Sequence, residues 1–137
     1  MRQFTFLHLI AALVLLAAAC GSRGGESKVV KSATAGNLNV TLSTPTGQLK
    51  HGGDEFTLTF TDAQGKPAEV GTAAVTLHMP AIGTMPAMNE RATLKPAGAP
   101  GVYKGNVKVE AAGEWEAQVS YEGPVGRGQT SFPLMVH

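Results

Sequence analysis

From Asn37 to the end of the chain, apolar residues recur at every second position in one short run after another. In NLNVTLS (Asn37–Ser43) they are Leu38, Val40 and Leu42; in EFTLTFT (Glu55–Thr61) they are Phe56, Leu58 and Phe60. AAVTLHM (Ala73–Met79) supplies Val75, Leu77 and Met79, with Thr76 and His78 in between. Successive side chains of an extended strand point to opposite faces, so each run buries one face and wets the other. Arg91–Leu94 is a short further candidate. VYKGNVKV (Val102–Val109) turns Tyr103, Gly105, Val107 and Val109 inward, and EWEAQVSY (Glu114–Tyr121) does the same with Trp115, Ala117, Val119 and Tyr121. Gln129–Val136 adds Phe132, Leu134 and Val136.

Clusters of turn formers separate these runs: Pro45-Thr46-Gly47, His51–Asp54, Asp62–Gly65, Pro96–Gly101, Ala111-Ala112-Gly113 and Gly123–Gly128. No helix-period stretch of useful length interrupts them. Seven short strands with punctuating turns predict an all-β, immunoglobulin-like antiparallel β-sandwich, with Trp115 at the centre of its core. A body of about 100 residues suffices for one such core, and no internal repeat or second domain is visible.

The beginning of the chain has a different character. Arg2 provides a positive start, Phe4–Ala19 is almost wholly apolar, and the run ends in Leu16-Ala17-Ala18-Ala19-Cys20-Gly21. That layout is the one expected of a signal peptide, too short and wrongly flanked for a spanning helix. Small residues ahead of the only cysteine match a bacterial lipobox, so residues 1–19 are expected to be a lipoprotein signal peptide and Cys20 the lipidated residue. The anchor predicts attachment to a membrane by acyl chains. Gly21 in place of an aspartate favours the outer membrane facing the periplasm in a Gram-negative host, and the cell surface otherwise. Residues 20–36 are small, polar and charged, and read as a flexible tether ahead of a domain spanning 37–137.

These features limit the chemistry. One cysteine permits no internal disulfide, and lipidation consumes its thiol. Eleven Lys and Arg, less Arg2, balance ten Asp and Glu, so the mature chain is formally neutral. That balance gives nucleic-acid binding no support. There is no nucleophile elbow or phosphate loop, and His51, His78 and His137 sit in three separate contexts. No catalytic residue is assigned, and the chain is expected not to be an enzyme.

One stretch retains a chemical possibility. LHMPAIGTMPAMNE (Leu77–Glu90) holds Met79, Met85 and Met88 beside His78, with Pro80 and Pro86 between them. Thioether sulfur is soft and uncharged, so it suits Cu(I) or Ag(I) and binds hard cations poorly; imidazole can join as a borderline ligand. Met85 and Met88 are the expected principal ligands, with His78 or Met79 completing the site. In a regular strand His78 and Met79 face opposite sides, so both can ligate one ion only if the strand ends there, which Pro80 favours. The alternative is that these methionines cap one end of the sandwich or dock a partner without metal.

The series from His78 through Pro124 resembles the YtkA-like domain, related to FixH-like proteins. It carries Met79-Pro80, Met85-Pro86 and Met88, then Gly101-Val102-Tyr103-Lys104-Gly105, then Gly113-Glu114-Trp115. Ile82 departs from the pattern, which has a further methionine there. The resemblance covers roughly Leu38 to Val136. It implies an immunoglobulin-like fold and a role in copper handling beside a copper-efflux or oxidase-assembly partner.

Overall fold

The computed structural model describes residues 26–137. The proposed signal peptide and Cys20 lie outside them. Among the described residues there is no helix, and nine strands form two antiparallel sheets. They are β1 (Lys28–Ala35), β2 (Leu38–Thr44), β3 (Gly52–Thr61), β4 (Thr72–Met79), β5 (Met88–Arg91), β6 (Thr93–Pro96), β7 (Val102–Val109), β8 (Gly113–Gly123) and β9 (Gly126–Val136). One sheet runs β1-β2-β3-β7-β6, the other β5-β4-β8-β9. Without β1, that order is the four-on-four arrangement of an immunoglobulin-like sandwich.

The alternation read from the sequence sets the burial. Phe56, Leu58 and Phe60 on β3 are buried between half-exposed neighbours. On β8, Trp115, Ala117, Val119 and Tyr121 alternate with exposed Glu116, Gln118, Ser120 and Glu122. Both sheets turn these faces inward onto one core. Burial of this kind contributes roughly 1.5–3 kcal/mol for each large apolar side chain.

Two expectations about the strands need correction. Residues Lys28–Ala35 are not tether: they pair with β2 from Lys28↔Thr44 to Ala35↔Leu38. KVVKSATA hides its strand character because β1 lies at a sheet edge, where most of its side chains meet solvent and a register shift interrupts Val29 and Lys31. Its last residue, Ala35, is fully buried and accepts the Tyr121 hydroxyl at 3.1 Å. The single strand expected over Arg91–Leu94 is two. β5 pairs with β4, and β6 pairs with β7 in the opposite sheet. The chain crosses between sheets at Ala92, whose N–H donates to the Val75 carbonyl at 3.0 Å.

Trp115 is buried but sits near one end of the core, with its indole N–H on the Ala111 carbonyl at 3.0 Å. The other end is built on Phe60, which meets Tyr103 and Tyr121 edge-on at 5.9 and 5.5 Å between ring centres. Between them Gly105 on β7 faces the Phe56 ring so closely that a Cβ there would overlap it. A glycine in a strand interior marks such an approach.

Candidate functional site

β4 ends at Met79 and β5 begins at Met88, in register with each other as Met79↔Met88. One step earlier His78 is in register with Asn89. Strand parity therefore divides the four predicted ligands. Met79 and Met88 share the inward face; His78 lies on the outward face, where its Nδ1–H donates to Asn89 Oδ1 at 2.8 Å. Met79 is 3 % exposed, and Met88 is half-buried and packs against the core. Met85 lies in the connecting hairpin and is 44 % exposed.

The hairpin itself is ordered by its own backbone. Ile82 N–H donates to the Met85 carbonyl at 3.1 Å, and Met85 N–H returns to the Ile82 carbonyl at 2.9 Å. Gly83, with φ of 59°, takes the first central position of this two-residue turn, where the turns that match strand twist need a positive φ. Pro80 and Pro86 flank the bridge. Proline fixes φ and removes an N–H, so both strands stop before the tip and residues 80–87 all stay exposed.

Beneath the hairpin the methionines meet the start of β8. The Met79 Cε methyl lies 3.2 Å from where a Cβ on Gly113 would stand. The last β4–β8 pair is His78↔Glu116, which leaves Met79 and Trp115 as the next positions along the two strands. Thioether donors thus run from buried Met79 through half-buried Met88 to exposed Met85. Among the described residues no group of three or more His, Cys, Asp and Glu could hold a metal ion. The donor set at this end is soft, which fits Cu(I) and Ag(I) and suits hard divalent ions poorly.

Three features here escaped the sequence. Asn89 as the partner of His78 depends on the hairpin register, which an eight-residue connection does not dictate. His51 and His137 come together at the same end of the sandwich: the His51 N–H donates to the His137 carbonyl at 2.8 Å, and its Nδ1–H reaches the same oxygen at 3.2 Å. Nothing local in either stretch signals that contact. Gly113 under Met79 was legible only as a turn residue.

Elsewhere among the described residues the surface offers little chemistry. A shallow depression on the outer face of the β5-β4-β8-β9 sheet is lined by Thr72, Ala74, Ser120, Glu122, Arg127 and Gln129. It lies toward the other end of the strands from the methionines. Its charged groups, Glu122 and Arg127, form an exposed pair at 3.6 Å. The Tyr103 hydroxyl donates to the Gly71 carbonyl at 2.7 Å and to Glu69 Oε1 at 3.3 Å. Burial, followed by the Glu69 charge and hydrogen bond, raises its pKa above the ordinary tyrosine value.

Fold and site together define an immunoglobulin-like β-sandwich domain with a methionine-bearing hairpin at one end. The model of the YtkA-like family matches residues 32–120, more than half of the chain, and the chain belongs to that family. The match begins inside β1, ahead of the domain start expected at residue 37. No curated protein and no solved structure matches the chain.

Proposed function

We propose that this protein is an exported, lipid-anchored domain that binds Cu(I), or the similar Ag(I), through the sulfurs of Met79, Met85 and Met88. It buffers the ion or passes it to an efflux or oxidase-assembly partner, and the reading assigns it no catalytic step. The observation that carries the proposal is the Met79↔Met88 pair, two soft donors on one face directly below the hairpin that bears a third. The gradient of exposure supports transfer rather than storage: an ion can exchange at Met85 while the inner donors stay shielded from water. His78, across the sheet, is left out of this ligand set.

The test is an anaerobic Cu(I) titration against a weak chelator, repeated with Ag(I), with Trp115 emission as an internal reporter. The wild type is expected to compete with the chelator and to change its emission on binding. A Met85→Ala/Met88→Ala variant should lose both responses. Failure of the wild type to compete, or equal binding by the two proteins, ends the metal reading.

The exposure of Ile82 (61 %) together with Met85 favours one second reading. In it the hairpin is a metal-free docking edge for a membrane complex. Ile82→Ser would then abolish a pull-down while copper tolerance stays unchanged.

A further inference from the structure

We infer that the methionine-bearing end of the sandwich rests on the lipid bilayer, with Ile82, Met135 and Val29 at the water–lipid interface; the inference rests on the lipid anchor of the proposed function, but not on the metal.

Five large hydrophobic residues among those described are exposed: Val29, Ile82, Met85, Val125 and Met135. Their placement is uneven. Ile82 and Met85 cap the β4–β5 hairpin, Met135 is one residue from the end of β9, and Val29 is the second residue of β1. The register puts these at one end. β4 finishes where β8 begins, β8 begins opposite the end of β9 as Gly113↔Val136, and the loop after β2 runs past Lys28 at Gly47 to Leu49, which bridges Val136. Only Val125, in the β8–β9 turn, belongs to the opposite end. An apolar cluster confined to one end of a domain marks an interaction surface, whereas apolar residues scattered singly need no explanation.

The entry of the chain identifies the occupant. β1 starts at this end and finishes at the other, where Ala35 meets Tyr121 near the end of β8. Cys20 precedes Lys28 by eight residues, a separation that spans no more than about 26–29 Å at full extension. The eleven-residue strands β8 and β9 make the sandwich roughly 33 Å tall. Were the Val125 end to face the membrane, Lys28 would stand farther from it than the anchor can reach. The same limit lets the methionine end lie against the surface. The exposed apolar side chains at this end add shallow interfacial burial to the acyl anchor.

The experiment uses the full-length protein purified from membranes and reconstituted in vesicles of phosphatidylethanolamine and phosphatidylglycerol. Ile82→Cys, Met135→Cys and Val125→Cys variants each carry an environment-sensitive maleimide fluorophore, and quenching by nitroxide-bearing lipid is compared. Labels at 82 and 135 are expected to be quenched at least about threefold more than the label at 125, as for side chains seated ~5–10 Å into the interface. Equal quenching at the three sites overturns the inference. Shielding at 82 that appears only in native membranes, and not in protein-free vesicles, overturns it in favour of a protein partner. The wild type, whose only cysteine is Cys20, is labelled in parallel. Reaction there removes the anchor and with it the inference, while the copper reading stands on its own titration.

Discussion

Met79 and Met88 occupy partner positions across the β4–β5 hairpin, both on the face that looks into the core. Met79 therefore has a packing role whatever else it does. Truncation by Met79→Ala should cost about 2–4 kcal/mol of stability, read as a lower denaturation midpoint with an unchanged slope. Met79→Leu keeps the volume and should cost less than about 1.5 kcal/mol. If Met79 also ligates, the leucine variant loses Cu(I) affinity while staying folded. Unchanged affinity would leave Met85 and Met88 as the only thioether donors.

His78 tests the same geometry from the other face. Its ring is committed to Asn89 on the outside of the sheet, so His78→Ala should leave the Cu(I) affinity within about twofold, a change of less than ~0.5 kcal/mol. A tenfold loss on that substitution would mean that the strand end reorganises to bring the imidazole round. Affinity measured by chelator competition decides between the two.

Much of the sandwich was legible because burial on one face imposes a period of two, and β2, β3, β4, β7, β8 and β9 all follow it. The strands missed or merged are those where the rule has least purchase. β1 is exposed on most of its side chains, and β5 and β6 are four residues each with a sheet change between them at Ala92. The placement of the candidate residues was legible to the same degree. Parity separates His78 from Met79 on inspection of Leu77-His78-Met79-Pro80. That Met88 rather than His78 partners Met79 depends on where β5 begins, a tertiary fact that the prolines bracket but do not fix.

Because β1 is a strand and not a tether, it should matter to stability. Deleting residues 26–35 exposes the edge of β2 and removes the Ala35 carbonyl that takes the Tyr121 hydroxyl. The expected result is faster amide hydrogen exchange along β2 together with a lower melting temperature. A true tether would leave both unchanged.

Gly105 carries a sharper expectation. Its missing Cβ makes room for the Phe56 ring on the neighbouring strand, in the register pair Phe56↔Gly105. Gly105→Ala should cost about 1–3 kcal/mol through overpacking. Phe56→Leu in the same chain should recover part of it, since a smaller side chain leaves space for the added methyl. A simple sum of the two single costs would show that the ring and the glycine are not coupled.

The alkaline limb of stability should belong in part to Tyr103. Its pKa in the folded protein is raised, first by burial and then by Glu69. Above the unfolded value of about 10 the unfolded chain releases this proton while the folded chain holds it. The unfolded state then binds fewer protons, so stability falls as pH rises from there through the folded pKa. Below pH 10 the protonated hydroxyl keeps its bonds to Gly71 and Glu69, and the contribution is constant. Tyr103→Phe should lower stability at neutral pH by about 1 kcal/mol, the net worth of the lost hydrogen bonding, and should flatten the decline above pH 10. Denaturant midpoints at pH 8 and at rising alkaline pH, compared with the wild type, measure both effects; a variant with an equally steep alkaline loss would place the titrating group elsewhere.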